Sequence, residues 1–157
     1  MQRVTNPPVP VNYIAKAQGA RIFFRSLKGD LSGFLYRDVA QPVIGVNTHH
    51  PTVRQRFTVA HELGHLLLHD QEKIHVDHDF KLRLRNELSS QGTDEAEIEA
   101  NLFAAELLMP ATFLDRDLRA LDLNLLDDDA FTRFAKRYGV STQALLIRLN
   151  SLGYWIA

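Results

Sequence analysis

The chain has 157 residues, 45% of them hydrophobic and 24% charged, with a formal net charge of −1 and no cysteine. That length suits one domain able to bury a core without disulfides, and the balanced charge supplies no global basic field for nucleic acid or an anionic membrane. The lack of cysteine excludes disulfides, thiolate nucleophiles and thiolate metal sites, so any metal must be held by imidazole and carboxylate.

The opening stretch MQRVTNPPVPVNYIAKAQGA has no apolar run of signal-peptide length, and nothing further along approaches the ~20 apolar residues of a membrane span. A cytoplasmic protein is therefore expected. Residues 1–10, with the proline cluster NPPVPV across their end, read as an extended leading segment, because proline fixes φ and lacks the amide donor. A short helix is expected over Val11–Gln18, stopped by Gly19. RIFFRSL, LSGFLYR and PVIGVN are β-rich runs separated by the turn signals Lys28-Gly29-Asp30 and Gln41-Pro42, and they predict a small antiparallel three-stranded sheet. Thr52 and Gln55 have the spacing of a capping box, which places a helix from there to about His69.

QEKIHVDHDFKLRLRNELSSQGT is polar and without sustained period, so it reads as a long connection, with a short helix or strand near Phe80–Leu88. A second strong helix opens at Asp94 and ends near Pro110, where the proline starts the next helical segment, PATFLDRDLRALD. A C-terminal helical pair over 128–153 closes the chain, its first helix ended by Gly139 and its second capped by Ser141. The sum is an α+β fold in one domain over 1–157, strands first and a helical bundle after.

Chemistry concentrates in RFTVAHELGHLLLH. On a helical wheel Thr58, His61, Glu62, His65 and His69 fall in one arc, and every other direction is apolar, so the helix reads as buried with one wet stripe. Polar groups in such a setting cost several kcal/mol unless something pairs with them. His61 and His65 leave the same face one turn apart and can meet one ion, with Glu62 beside it. This is the zinc-peptidase pattern H-E-x-x-H. His69, one turn on, reads either as a group behind a ligand or against substrate, or as a solvated helix end.

A hydrolytic zinc has three protein ligands and one open position. In DEAEIEANLFAAELLMP the wheel puts Glu95, Glu99 and Glu106 on the polar side, whereas Glu97 lies in the apolar arc with Asn101, Ala104 and Leu108. Glu97 is the expected third ligand and Glu99 the fallback; Asn101 can orient a ligand through its amide oxygen. HVDHD, residues 75–79, is a competing metal tract, since dense His/Asp runs can bind metal, and within it His75 and His78 are candidate pocket-edge groups.

RQRFTVAHELGHLLLH and EIEANLFAAELLMP, preceded by SGFLY and VIGVN and followed by FAKRYGVSTQALLIRL, closely resemble the ImmA/IrrE family of bacterial and phage metallopeptidases, from about Val11 to Gly153. The resemblance implies a thermolysin-like zinc site, with His61, His65 and Glu97 as ligands and Glu62 as the base. It also implies cleavage or inactivation of a helix-turn-helix repressor in mobile-element, phage or stress-response control. The chain lacks the appended sensory domain of longer members, so no built-in sensor is expected. For such chemistry Glu62 would take a proton from water and deliver it to the leaving amine. An extended substrate would pair with an edge among FFRSL, GFLYR and VIGVN. His69, His75, His78, Tyr36 and Arg148 are all candidates for stabilising the oxyanion.

Two other functions fit parts of the sequence. A metal-stabilised toxin, or a module that sequesters a repressor or antitoxin, would keep the metal site without proteolysis. FAKRYGVSTQALLIRLN has the outline of a DNA-reading helix pair, but its second helix is mostly Leu, Ile and Ala with only Arg148 basic, so packing is the expected role and no direct nucleic-acid contact is expected.

Overall fold

Pro10 presents no amide to be satisfied ahead of the first helix, and α1 (Val11–Ala17) starts directly behind it. Gly19, with φ of +91°, turns the chain out of that helix. In this computed structural model the described residues are 4–70, 73–78, 91–120 and 128–154, with the side chains of 78, 91–94 and 128 outside the description. They form two compact units, Pro10–Ala104 and Met1–Val9 with Ala105–Ala157.

The first unit carries the sheet: β1 (Arg21–Arg25), β2 (Leu31–Tyr36), β3 (Val43–Asn47) and β4 (Ile74–His78). The strand order is β1-β3-β2-β4. β2 pairs antiparallel with both β3 and β4, whereas β1 pairs parallel with β3. The expected three-stranded antiparallel sheet is thus corrected to a four-stranded mixed one within the same α+β class. Its cause is that β3 slots between β1 and β2 although the turn signal at Lys28-Gly29-Asp30 suggests a hairpin. Asn47 secures the insertion. Its Oδ1 accepts from the amides of Leu27 (3.2 Å) and His49 (3.1 Å), and its Nδ2 donates to the carbonyl of Leu31 at 2.7 Å. One buried side chain at the end of β3 therefore ties together the chain ends that a direct β1–β2 ladder would have joined.

The second correction concerns the polar connection after His69. Residues 74–78 within it are a strand, held by the β2 register Tyr36↔Ile74 and Leu35↔His75. An exposed edge strand does not need an apolar run, because half its backbone pairing and one face are enough to hold it. The element expected near Phe80–Leu88 lies outside the described residues.

α2 (Thr52–Leu68) packs on the sheet through Gly33, where a Cβ would stand 2.4 Å from Thr58 Cγ2. Its cap is Pro51 rather than Thr52. Gln55 Nε2 donates to the carbonyl of His50 at 2.7 Å, so the capping box expected from sequence does not form. The polar stripe is not wet either: Thr58, His61, Glu62 and His65 are buried, while Leu67 and Leu68 in the last turn are exposed. At the far end Arg37, just past β2, donates to the carbonyls of His65 and His69, satisfying acceptors that a helix C-terminus leaves open. α3 (Gln91–Leu108) runs beside α2 at Gly64, where a Cβ would meet Ala100 Cα at 3.2 Å and Phe103 Cδ1 at 3.1 Å.

The second unit holds α4 (Ala111–Arg119), α5 (Asp128–Tyr138) and α6 (Thr142–Ser151). Pro110 caps α4, Gly139 at φ +66° ends α5, and Ser141 Oγ accepts from the amide of Ala144 at 3.1 Å, all as the sequence signals imply. Leu114, Leu118, Phe134, Tyr138, Leu145 and Leu149 are buried there. Tyr138 Oη donates to Asp117 Oδ2 at 2.8 Å, so the largest buried side chain has its polar end satisfied.

Candidate functional site

The one-turn spacing of His61 and His65 brings their Nε2 atoms to 3.0 Å of each other. The first turns of α3 bring the carboxylate of Glu97 to both: Oε2 is 3.5 Å from His61 Nε2 and Oε1 is 3.4 Å from His65 Nε2. His61 is 2% exposed, His65 3% and Glu62 0%. β4 adds a fourth group. His75 Nε2 lies 3.2 Å from Glu97 Oε1, and its ring stacks on that of His65 with centroids 3.8 Å apart.

The outer nitrogens of the two rings settle their tautomers. Asn101 Oδ1 can only accept, so His61 Nδ1–H donates to it at 3.0 Å and His61 Nε2 keeps its lone pair. Glu99 Oε2 accepts from His69 Nε2 at 2.9 Å, which leaves His69 Nδ1 to accept from His65 Nδ1–H at 3.2 Å. With neutral rings assigned from these partners, His65 Nε2 also carries a lone pair. Burial pushes the His65 imidazole below its usual range, against the opposing pull of Glu97, and so favours that neutral form.

Two nitrogen lone pairs and a carboxylate therefore face one point. Without a cation such an arrangement is repulsive. A tetrahedral ion with bonds near 2.0–2.1 Å holds its ligand atoms about 3.3 Å apart, and the observed spacings of 3.0, 3.4 and 3.5 Å fit that requirement. One ligand atom each from His61, His65, His75 and Glu97 all lie within 4.8 Å of one another, so the group could bind a metal. The borderline nitrogen and hard oxygen donors, with no thiolate, suit zinc.

One carboxylate oxygen of Glu62 lies within 4.8 Å of a His61 nitrogen and of an Asp77 carboxylate oxygen.

The structure brings together His61, Glu62, His65, Glu97, Asn101, His69 and His75 from the sequence-derived set. Among the described residues Glu99 meets His69 rather than the cluster, and its side chain is 62% exposed. Tyr36 stands in register with Ile74, on the sheet face opposite that of Leu35 and His75, and so does not join the cluster. His78 ends β4 opposite Leu31, and its side chain lies outside the described ones. Arg148 belongs to the second unit, where it is buried and pairs with Glu106, its Nε donating to the Met109 carbonyl at 3.4 Å. That engagement removes the one basic group of the supposed DNA-reading helix. Sequence reasoning passed over Asp77 and Arg37. The alternation of His75 and Asp77 on one strand face was the available signal for the first, but it requires knowing that the segment is a strand.

No described helix is long and apolar enough to cross a membrane. Over 85 residues the chain is 31% identical to "Uncharacterized immunity region protein 2" of Bacillus phage phi105, an overlap of 54% of this chain and 49% of that protein. The chain thus matches about half the length of that curated relative. A solved structure described as a Mycobacterium tuberculosis transcriptional regulator shares the fold, with a TM-score of 0.56 at 19% identity, across 89% of this chain and 39% of that one. Residues 15–150 match the IrrE N-terminal-like domain, Peptidase_M78, and with that match covering most of its length the chain belongs to this metallopeptidase family, as the sequence resemblance to ImmA/IrrE implies.

Proposed function

We propose that the protein is a zinc-dependent endopeptidase acting on a helix-turn-helix repressor. The observation that carries this reading is the convergence of the His61 and His65 lone pairs with the Glu97 carboxylate at 3.0–3.5 Å. Zinc bound there would supply Lewis-acid polarisation of a peptide carbonyl and acidification of water. His61, His65 and Glu97 would hold the ion. Asn101 and the His69–Glu99 pair orient the two imidazoles through their outer nitrogens. Glu62 accepts the proton from the attacking water and returns it to the leaving amine, a role suited to a buried carboxylate next to a ligand but outside the ligand set.

An extended substrate pairs along a sheet edge. Among the described residues β1 and β4 are the edges, so the GFLYR and VIGVN strands, which are interior, are excluded. β4 is favoured because its own His75 and Asp77 belong to the cluster. A repressor as substrate is supported by the company the chain keeps, a phage immunity-region protein and a fold neighbour described as a transcriptional regulator.

The test is incubation of the zinc-loaded protein with the repressor encoded beside its gene, comparing wild type with Glu62→Gln by intact mass. Two new fragments with wild type, and none with the variant, are expected. Equal silencing of the partner by both proteins without any fragment would replace proteolysis by sequestration.

A further inference from the structure

We propose that His75 is a fourth protein ligand, so that the resting site is closed and holds the position a hydrolytic zinc site leaves open. The inference rests on the zinc reading above and concerns a residue outside the H-E-x-x-H helix and outside the Glu97 helix.

The geometry points to the role directly. The His75 ring lies over that of His65, with centroids 3.8 Å apart at an interplanar angle of 27°, which keeps its side chain against the ligand cluster. His75 Nε2 is 3.2 Å from Glu97 Oε1, much as His65 Nε2 is at 3.4 Å. One ligand atom from each of the four residues falls within 4.8 Å of every other, a span that one ion can fill. The side chain is 13% exposed, comparable with the 14% of Glu97 and far from that of a solvated loop histidine. β4 holds it there through backbone pairing with Leu35, a residue of the buried core.

Four protein ligands close the coordination sphere as in structural zinc sites, whereas hydrolysis requires a vacant position for water or substrate. The resting protein is therefore latent, and the site opens when the His75 side chain leaves it. β4 is a sheet edge among the described residues. A polypeptide that pairs with it acts on the same strand that carries the blocking ligand, so docking and opening can be one event.

Cobalt(II) substitution tests this without any turnover. Wild-type cobalt protein is expected to show a visible spectrum that azide leaves unchanged, whereas His75→Ala should acquire an azide-dependent spectrum and lose at least ~10-fold in zinc affinity against a chelating dye. His75→Cys supplies a second, direct reading: the chain has no other cysteine, so a thiolate-to-cobalt charge-transfer band in the near ultraviolet would report coordination from position 75. Azide binding to wild type as strongly as to His75→Ala would overturn the proposal, as would cobalt-loaded His75→Cys without that band. Failure of wild type to bind either metal would defeat the zinc reading as a whole. Retained metal binding with an azide-sensitive wild-type spectrum would defeat only the role of His75.

Discussion

Gly64 is where the two ligand-bearing helices touch, which makes Gly64→Val a test of whether packing sets the metal geometry. A Cβ at this position already meets Phe103 Cδ1 at 3.1 Å, Ala100 Cα at 3.2 Å and Ala100 O at 3.3 Å. The backbone contacts cannot rotate away, and the two γ-methyls of valine extend ~1.5 Å further, so α2 and α3 must separate by about 1 Å. Overpacking of this kind costs typically 1–3 kcal/mol. At 2–4 °C per kcal/mol for a chain of this size, the melting temperature should fall by roughly 2–12 °C.

Glu97 sits three residues before Ala100, and His61 and His65 flank Gly64, so the separation transmits directly to the 3.4 and 3.5 Å spacings between carboxylate and imidazoles. Zinc affinity should drop by about 10–100-fold, the range seen when ligand-orienting groups are disturbed. Gly64→Ala is the control. Its contacts need a give of only a few tenths of an ångström, and replacing a mid-helix glycine returns up to ~1 kcal/mol of helix propensity, so its affinity should stay within several-fold of wild type. Chelator competition and thermal melts on the three proteins decide the matter. A Gly64→Val protein that melts like wild type and binds zinc within threefold of it would refute the reasoning.

Glu97→Ala should abolish stoichiometric zinc while Glu99→Ala keeps it, measured by metal analysis after dialysis; the reverse pattern would mean that the wrong carboxylate has been assigned. Glu62→Gln should retain zinc and fold yet lose at least ~10²-fold in cleavage rate, read by gel-based kinetics on the repressor. His69→Ala should weaken zinc by about tenfold, because His65 would lose the partner that fixes its tautomer; unchanged affinity would undo that tautomer assignment. Asp117 predicts an acid-side effect. Burial works against its ionisation, but hydrogen bonds from Arg116 and Tyr138 and the charge of Arg137 prevail and hold it below the usual carboxylate range. A carboxylate depressed in this way stabilises the fold fully above the unfolded value of ~3.9, and that contribution is lost as pH falls through the lower folded value. Asp117→Asn should therefore cost ~1–3 kcal/mol in urea titrations at pH 7 and much less at pH 3, and an equal cost at both would contradict the ion-pair account.

The parts of the site that the sequence made legible are those in which helical periodicity and chemistry agree. His61, Glu62 and His65 stand out because three polar residues on an apolar helix demand a partner, and Glu97 because it breaks the apolar arc of α3 where its neighbours Glu95 and Glu99 do not. That His75 and Asp77 would share one strand face beside α2 was not legible, for the opposite reason. β4 is stabilised by pairing with β2 rather than by any apolar pattern of its own, so nothing in HVDHD announces a strand, and the alternation that aims both residues at α2 has no meaning until the strand is known. The parallel β1–β3 pair was equally beyond reach, since local turn chemistry at Lys28–Asp30 speaks only for neighbours in sequence and pairing with β3 is settled by the Asn47 contacts 16 and 20 residues away. Arg37 follows the same rule: a lone arginine after a strand gives no sign that it will close the C-terminus of a helix 28 residues on.

The insertion of β3 between β1 and β2 also orders events in time. β2 and β3 are joined by a short loop and can zip together as a local hairpin on the microsecond scale. β1 precedes both along the chain, yet its parallel partner does not exist until that hairpin has formed. Ordering β1 first would spend chain entropy with no ladder in return. Of these three strands, the one synthesised first is thus the one that docks late, and the Asn47 amide, which reaches back to Leu27 and Leu31, acts as the latch that engages when the newcomer strand has arrived.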